Sequence, residues 1–119
     1  MDIEKLKEAG VDYDEGLNRF MGSVDLYEKF LLRFPGDPSF NELKEAMENE
    51  DYKTAFKAGH TLKGTSGNLS LNDLYKATIP FVDALRDEEA DYDLAKELYP
   101  KVVEEYNRVM AVLKEYVND

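Results

Sequence analysis

Residues 51–69 of the chain read DYKTAFKAGHTLKGTSGNL. Apolar or small side chains recur here at the i, i+3, i+4, i+7 spacing of one helix face, at Tyr52, Ala55, Phe56, Gly59, Leu62 and Leu69. The spacing predicts a long amphipathic helix over about 51–68. Helical spacing recurs on both sides of this stretch, and no segment alternates convincingly as a half-buried strand does. The expected fold class is therefore all-α.

Upstream of this stretch the sequence predicts several shorter helices. Two of them cover about 3–9 and 13–21, and a longer one covers 23–34. A break follows, after which Asp37 is a suitable cap for a helix that has Pro38 at its first position.

Downstream, Ser70 and Asp73 resemble a capping box that starts a helix reaching about residue 86. A last helix is expected over 92–117, and Pro80 and Pro100 predict bends. Together the segments predict a helical bundle with about four long helices, forming one domain over residues 1–119.

The composition excludes several classes of function. The chain of 119 residues has 26 acidic and 15 basic residues, a net charge of −11, no cysteine and one histidine. This charge disfavours nucleic-acid binding and docking to anionic lipid. Thiolate chemistry, disulfides and any metal site with two imidazoles are also excluded. The N-terminus has no apolar secretory core, and no apolar run approaches the ~20 residues of a membrane helix, so we expect a cytoplasmic protein.

The helix over 51–68 is unusual because it contains three glycines, Gly59, Gly64 and Gly67. Each costs a helix about 1 kcal/mol relative to alanine, so each needs another reason to be there. Gly59 lies on the apolar stripe, which favours close packing of another helix. Gly64 and Gly67 lie on another face, where they would leave room for a partner.

That other face carries the single histidine. At 100° per residue, His60 lies off the apolar stripe, and the residues that share its face are Lys53, Lys57, Lys63, Gly64 and Gly67. Residues 52–72 contain three lysines and no acidic residue, within a strongly acidic chain. An exposed imidazole among lysines suits a group that receives a phosphoryl group or meets an acidic partner.

The run HTLKGTSGNL, residues 60–69, resembles the signature of histidine-containing phosphotransfer (HPt) domains, the phosphoryl carriers of two-component phosphorelays. Chain length and the mid-chain position of the histidine also fit this family, and residues 13–34 resemble stand-alone bacterial members. The resemblance implies an up-down four-helix bundle with additional short N-terminal helices. One position departs: the family usually has glycine ten residues after the histidine, where this chain has Ser70. We expect that change to affect a cap rather than the chemistry.

Carried over residue by residue, the resemblance implies that His60 accepts a phosphoryl group from the phospho-aspartate of a receiver domain. Lys63 would stabilise the phosphoryl oxygens, and Gly64 would let the receiver approach. Lys57 and Gly67 would contribute to docking, with Lys53 more peripheral. The chain would bind no metal or cofactor, and Mg²⁺ would be held by the receiver.

The implied partners are receiver domains and a hybrid sensor histidine kinase. The protein is then a phosphotransfer intermediate without kinase activity of its own, since the sequence has no Gly-rich nucleotide loop. Two alternatives stay open: a helical adaptor that binds receivers without phosphotransfer, and an excised phosphotransfer module of a chemotaxis-type or hybrid kinase. We expect a monomer, because one chain should satisfy its own core.

Overall fold

The fold is built entirely from helices in the part of the chain that the structure, a computed structural model, describes, which is residues 1–117. The seven α-helices of this part are α1 (Ile3–Glu8), α2 (Tyr13–Arg19), α3 (Val24–Arg33), α4 (Ser39–Glu48), α5 (Tyr52–Asn68), α6 (Asn72–Ala84) and α7 (Tyr92–Leu113). Short 3-10 turns follow α3 and α6, at Phe34–Gly36 and Asp87–Glu89. No strand occurs within residues 1–117, which confirms the all-α prediction.

Helices α4 to α7 form the bundle. Each packs against the next in sequence, and the short connections at 49–51, 69–71 and 85–91 make successive helices antiparallel neighbours. The rings of Phe40 in α4 and Tyr106 in α7 stack with centroids 3.7 Å apart, which joins the first helix of the bundle to the last. The up-down four-helix bundle with short N-terminal helices is therefore confirmed.

The core explains why this arrangement is stable. Its largest fully buried side chains come from the N-terminal helices and from the bundle alike: Leu6, Tyr27, Leu31, Leu43, Leu62, Leu71, Leu74, Phe81, Val82, Val102, Val109 and Leu113. Burying such a side chain contributes about 1.5–3 kcal/mol, so these residues supply much of the driving force for folding. Tyr27 also donates its hydroxyl to the carbonyl of Leu69, 2.8 Å away, which joins α3 to the end of α5.

Side-chain caps fix the beginnings of several helices. Ser23 accepts the N–H of Leu26 at the start of α3, and Asp51 accepts the N–H of Thr54 at the start of α5. The helix after the break begins one residue later than predicted, at Ser39, so that Pro38 and not Asp37 is its N-cap residue. Asp37 still accepts the N–H of Ser39, at 2.8 Å.

The capping box expected at Ser70 and Asp73 is wrong. Helix α6 begins at Asn72 without a side-chain cap, and Ser70 instead ends α5 in the left-handed conformation, with φ +57°. The N–H of Leu71 bonds the carbonyl of Ser66 at 2.9 Å and the N–H of Ser70 bonds that of Gly67 at 3.2 Å, the pattern of a Schellman motif. Glycine usually occupies such a position because it has no Cβ.

The last helix is shorter than predicted, ending at Leu113 rather than near residue 117. Helices α6 and α7 continue through Pro80 and Pro100, so neither proline divides its helix. The chain end at residues 118–119, which the predicted domain includes, lies outside the described residues. No helix within residues 1–117 combines the length and apolar character needed to cross a membrane.

Candidate functional site

Helix α5 has one face in the bundle and one in solvent. Its buried face packs between α4 and α6 and includes Ala55, Gly59, Leu62 and Ser66. A Cβ on Gly59 would lie 3.3 Å from side-chain atoms of both Phe81 and Val82 in α6. This glycine is therefore a helix-packing residue, as its position on the apolar stripe predicts.

His60 is exposed on the opposite side of α5, in agreement with the helical-wheel prediction. Phe56, one turn earlier, faces the imidazole with the ring centroids 6.1 Å apart and the planes 17° apart. The guanidinium of Arg86 lies over the ring of Phe56, 5.5 Å from its centroid. The sequence placed Phe56 on the buried stripe, but it is only partly buried and covers one side of the histidine. No hydrogen bond to the imidazole is found among residues 1–117.

A groove of about 580 Å³ runs beside His60. Three helices line it: α5 with His60, Lys63, Gly64, Gly67 and Asn68; α6 with Asn72, Tyr75, Lys76 and Ile79; and α2 with Glu15 and Arg19. The contributions of α2 and α6 were missed by the sequence analysis, because they depend on how separate helices pack. Lys53 and Lys57 are exposed on α5 but do not line this groove.

The two glycines on the His60 face have different surroundings. A Cβ on Gly64 would have no atom within 4 Å, so the surface one turn from His60 is open. A Cβ on Gly67 would lie 3.0 Å from the ring of Tyr75, tighter than ordinary van der Waals contact. Gly67 thus makes room for an α6 side chain, whereas Gly64 leaves room for a molecule outside the fold.

The groove is predominantly cationic. Lys63 is partly buried and Lys76 is exposed, and neither forms an ion pair with any of residues 1–117. The guanidinium Nε of Arg19 lies 3.7 Å from a carboxylate oxygen of Glu15. That oxygen also accepts the hydroxyl of Ser70, at 2.8 Å. The surroundings of His60 thus offer positive charge to an anion.

The start of α5 is stabilised by hydrogen bonds to two carboxylates as well as by packing. Thr54, facing the carboxylate with its hydroxyl and its N–H, holds the pKa of Asp51 below the usual range of an aspartate. The bonds from Lys96 and Tyr52 likewise lower the pKa of Glu50. These contacts fasten the first turn of α5 and join it to α7.

The arrangement supplies a nucleophile and cations, without a metal site of its own in the described residues. A neutral imidazole has a lone pair on one ring nitrogen and can attack phosphorus. Ammonium groups beside it can neutralise the oxygens of a transferred phosphoryl group. No group of three or more histidine, aspartate or glutamate side chains within residues 1–117 is placed to hold a metal ion.

The chain was compared with models of known protein families. Residues 25–115 match the family model described as Hpt domain. The matched segment contains most of α3, all of α4 to α7 and His60, but it leaves α1 and α2 outside. Searches of curated proteins and of solved structures found no significant match.

Proposed function

Because the match spans residues 25–115, the chain belongs to the Hpt domain family, and we propose that His60 carries a phosphoryl group between receiver domains. Membership implies a phosphotransfer role in two-component signalling, as a phosphocarrier module rather than a kinase. The finer assignment, to one residue and one kind of donor, rests on the chemistry of the groove.

The observation that supports it best is the juxtaposition of His60, Lys63 and Gly64 within one turn of α5, beside the groove. The imidazole is exposed, the lysine lies in the same groove, and Gly64 leaves the adjoining surface open. A receiver phosphoryl group has to approach within bonding distance of a ring nitrogen, so an unobstructed surface is as necessary as the nucleophile.

In the proposed step, a ring nitrogen of neutral His60 attacks the phosphorus of an aspartyl phosphate. A P–N bond forms as the P–O bond to the aspartate breaks, and the carboxylate leaves on the receiver as an anion. Lys63 neutralises part of the charge on the phosphoryl oxygens while both bonds are partial. The reverse step, on the aspartate of a second receiver, breaks the P–N bond and returns the neutral imidazole.

The proposal includes the partners. A hybrid sensor kinase would supply the phosphoryl group through its receiver domain, and a second receiver would take it. Mg²⁺ would be bound by the receiver and not by this chain, which we propose acts without a cofactor, as a cytoplasmic monomer over residues 1–119.

A two-receiver chase tests the proposal. A receiver domain from the source organism, phosphorylated with acetyl phosphate, is mixed with the chain, removed, and replaced by a second unphosphorylated receiver. Wild-type protein should gain and then lose one phosphoryl group, while His60→Gln should gain none. The control Lys114→Gln changes an exposed lysine directly after the end of α7 and should behave as wild type.

Two results would contradict the proposal. Receiver binding without any phosphoryl gain by the wild type would leave an adaptor as the better description. Phosphorylation by a kinase domain with ATP, but by none of the receivers, would indicate the module of a kinase.

A further inference from the structure

Ser70 occupies a strained backbone position and is fully buried, yet its side chain makes a specific contact. Its φ of +57° lies in the left-handed region, where glycine is the default residue. Its hydroxyl donates to Glu15 at 2.8 Å, and its carbonyl accepts the N–H of Asp12 at 2.9 Å. The end of α5 therefore holds the first turn of α2 through both backbone and side chain.

Glu15, which Ser70 contacts, is in turn in contact with Arg19. The two residues lie one turn apart on α2, and their side chains form an ion pair at 3.7 Å. Both side chains are about half exposed, so the pair belongs to the surface and not to the core. The contact limits the positions of a long, flexible guanidinium at the edge of the groove.

Arg19 has a particular place in the groove. It lines the His60 groove and also a neighbouring groove of about 590 Å³, whose floor includes Phe20, Phe30 and Leu69. A planar guanidinium can bind a carboxylate with two parallel hydrogen bonds, which an ammonium cannot. The chain as a whole has a net charge of −11, but the groove beside Arg19 is predominantly cationic. This placement of Arg19 favours contact with an acidic group of another molecule.

We propose that Arg19 is a specificity-determining residue that binds an acidic side chain of the receiver, and that Ser70 and Glu15 position it. The inference rests on the proposed function, since the partner is the receiver that delivers the phosphoryl group to His60. Helix α2 lies outside the segment that matches the family, so it can supply selectivity without altering the phosphoryl-accepting helix.

The test measures the rate of phosphotransfer from a phosphorylated receiver against receiver concentration, for wild type, Arg19→Gln, Ser70→Gly and the control Lys114→Gln. The receiver is the one from the source organism that transfers fastest to the wild type. We expect Arg19→Gln to raise the KM for the receiver about fivefold with little change in kcat, because a rim charge acts on encounter and docking. The KM should also depend less on salt.

Ser70→Gly isolates the positioning contact. Glycine keeps the backbone bond from Asp12 and fits the positive φ, so the variant should melt at or above the wild-type temperature. Removing the hydroxyl should still raise the KM about twofold, because Glu15 no longer holds Arg19 in one place. A loss of affinity without a loss of stability cannot come from unfolding.

The possible failures are distinct. If Arg19→Gln and Lys114→Gln give the wild-type KM, the recognition role of Arg19 is wrong while the carrier function stands. If only Ser70→Gly is unchanged, the positioning role is wrong. If the wild type accepts no phosphoryl group from any receiver, the proposed function fails, and this inference fails with it.

Discussion

The two faces of α5 use the same residue type for opposite purposes. On the buried face, Gly59 lets the side chains of Phe81 and Val82 approach to 3.3 Å from the place of its missing Cβ. On the exposed face, Gly64 has nothing within 4 Å of that place. The missing side chain of Gly59 allows close packing inside the fold, whereas that of Gly64 leaves the surface beside His60 open. The comparison separates the face that packs the bundle from the face to which we assign phosphotransfer, within a single helix.

The largest expected effects come from paired substitutions on the two faces. Leu62→Ala empties a fully buried position, so the free energy of unfolding should fall by about 2–5 kcal/mol. His60→Gln changes an exposed position, so stability should change by less than about 0.5 kcal/mol while phosphotransfer is abolished. Urea denaturation and the receiver assay measure the two quantities. A large destabilisation by His60→Gln would show that the faces are not separable.

A smaller effect is expected for Lys63→Gln. The lysine lies in the groove one turn from His60, where its charge can stabilise the phosphoryl oxygens during transfer. We expect the kcat of phosphotransfer to fall about tenfold, less than for a buried donor because the groove is open to water. Single-turnover kinetics at saturating receiver measure this, with Lys114→Gln as the charge-matched control. An unchanged kcat would remove Lys63 from the mechanism.

The glycine comparison gives a matched pair. Gly64→Ala adds a Cβ in open space and improves helix propensity, so the free energy of unfolding should rise by about 0.5–1 kcal/mol. Gly59→Ala places its Cβ against two buried side chains, so most of that gain should be lost. Thermal or urea unfolding compares them. Equal gains in the two variants would show that the contact with α6 is not tight.

What the sequence predicts well is the local geometry of α5. Helical spacing alone places His60 on the side of α5 away from Leu62, because the geometry of one helix is fixed by its period. Lys63, four residues after Gly59, lies between the two faces and is partly buried. The capping box at Ser70 failed for a physical reason. The same residue types occur at helix N-caps and in tight turns, and Ser70 takes the left-handed φ of the residue that ends α5 in a Schellman motif.

The rest of the groove could not be predicted from the sequence, because it is formed by the tertiary packing of separate helices. Arg19 and His60 are far apart along the chain, at positions 19 and 60. Nothing in the local sequence around Arg19 indicates that α2 docks beside α5. Tyr75 and Lys76 carry only the ordinary signals of a helix surface. Phe56 fits the apolar stripe within the tolerance of a helical wheel, and only the packed bundle shows that its ring faces the imidazole.

The smallest effect concerns acid stability at the start of α5. Because the folded-state pKa of Asp51 is lowered, its contribution is present above the pKa of the unfolded chain and is lost as pH falls through the lowered value. As the pH falls below the usual pKa range of aspartate, the free energy of unfolding of the wild type should therefore decline slightly more steeply than that of Asp51→Asn. Asp51→Asn keeps a capping oxygen without a titrating group, so its unfolding should depend less on acid pH. Identical acid profiles of the two proteins would contradict the assignment.

The most direct test of the account is to locate the phosphoryl group. The chain is phosphorylated by a phosphorylated receiver, its intact mass is measured at neutral and acidic pH, and the modified residue is found by peptide fragmentation. We predict one acid-labile phosphoryl group on His60, absent from His60→Gln and retained in a Gly59→Ala protein that still folds. A phosphoryl group on another residue, or one that survives acid, would contradict the assignment of the exposed face of α5 as the phosphoryl-carrying surface.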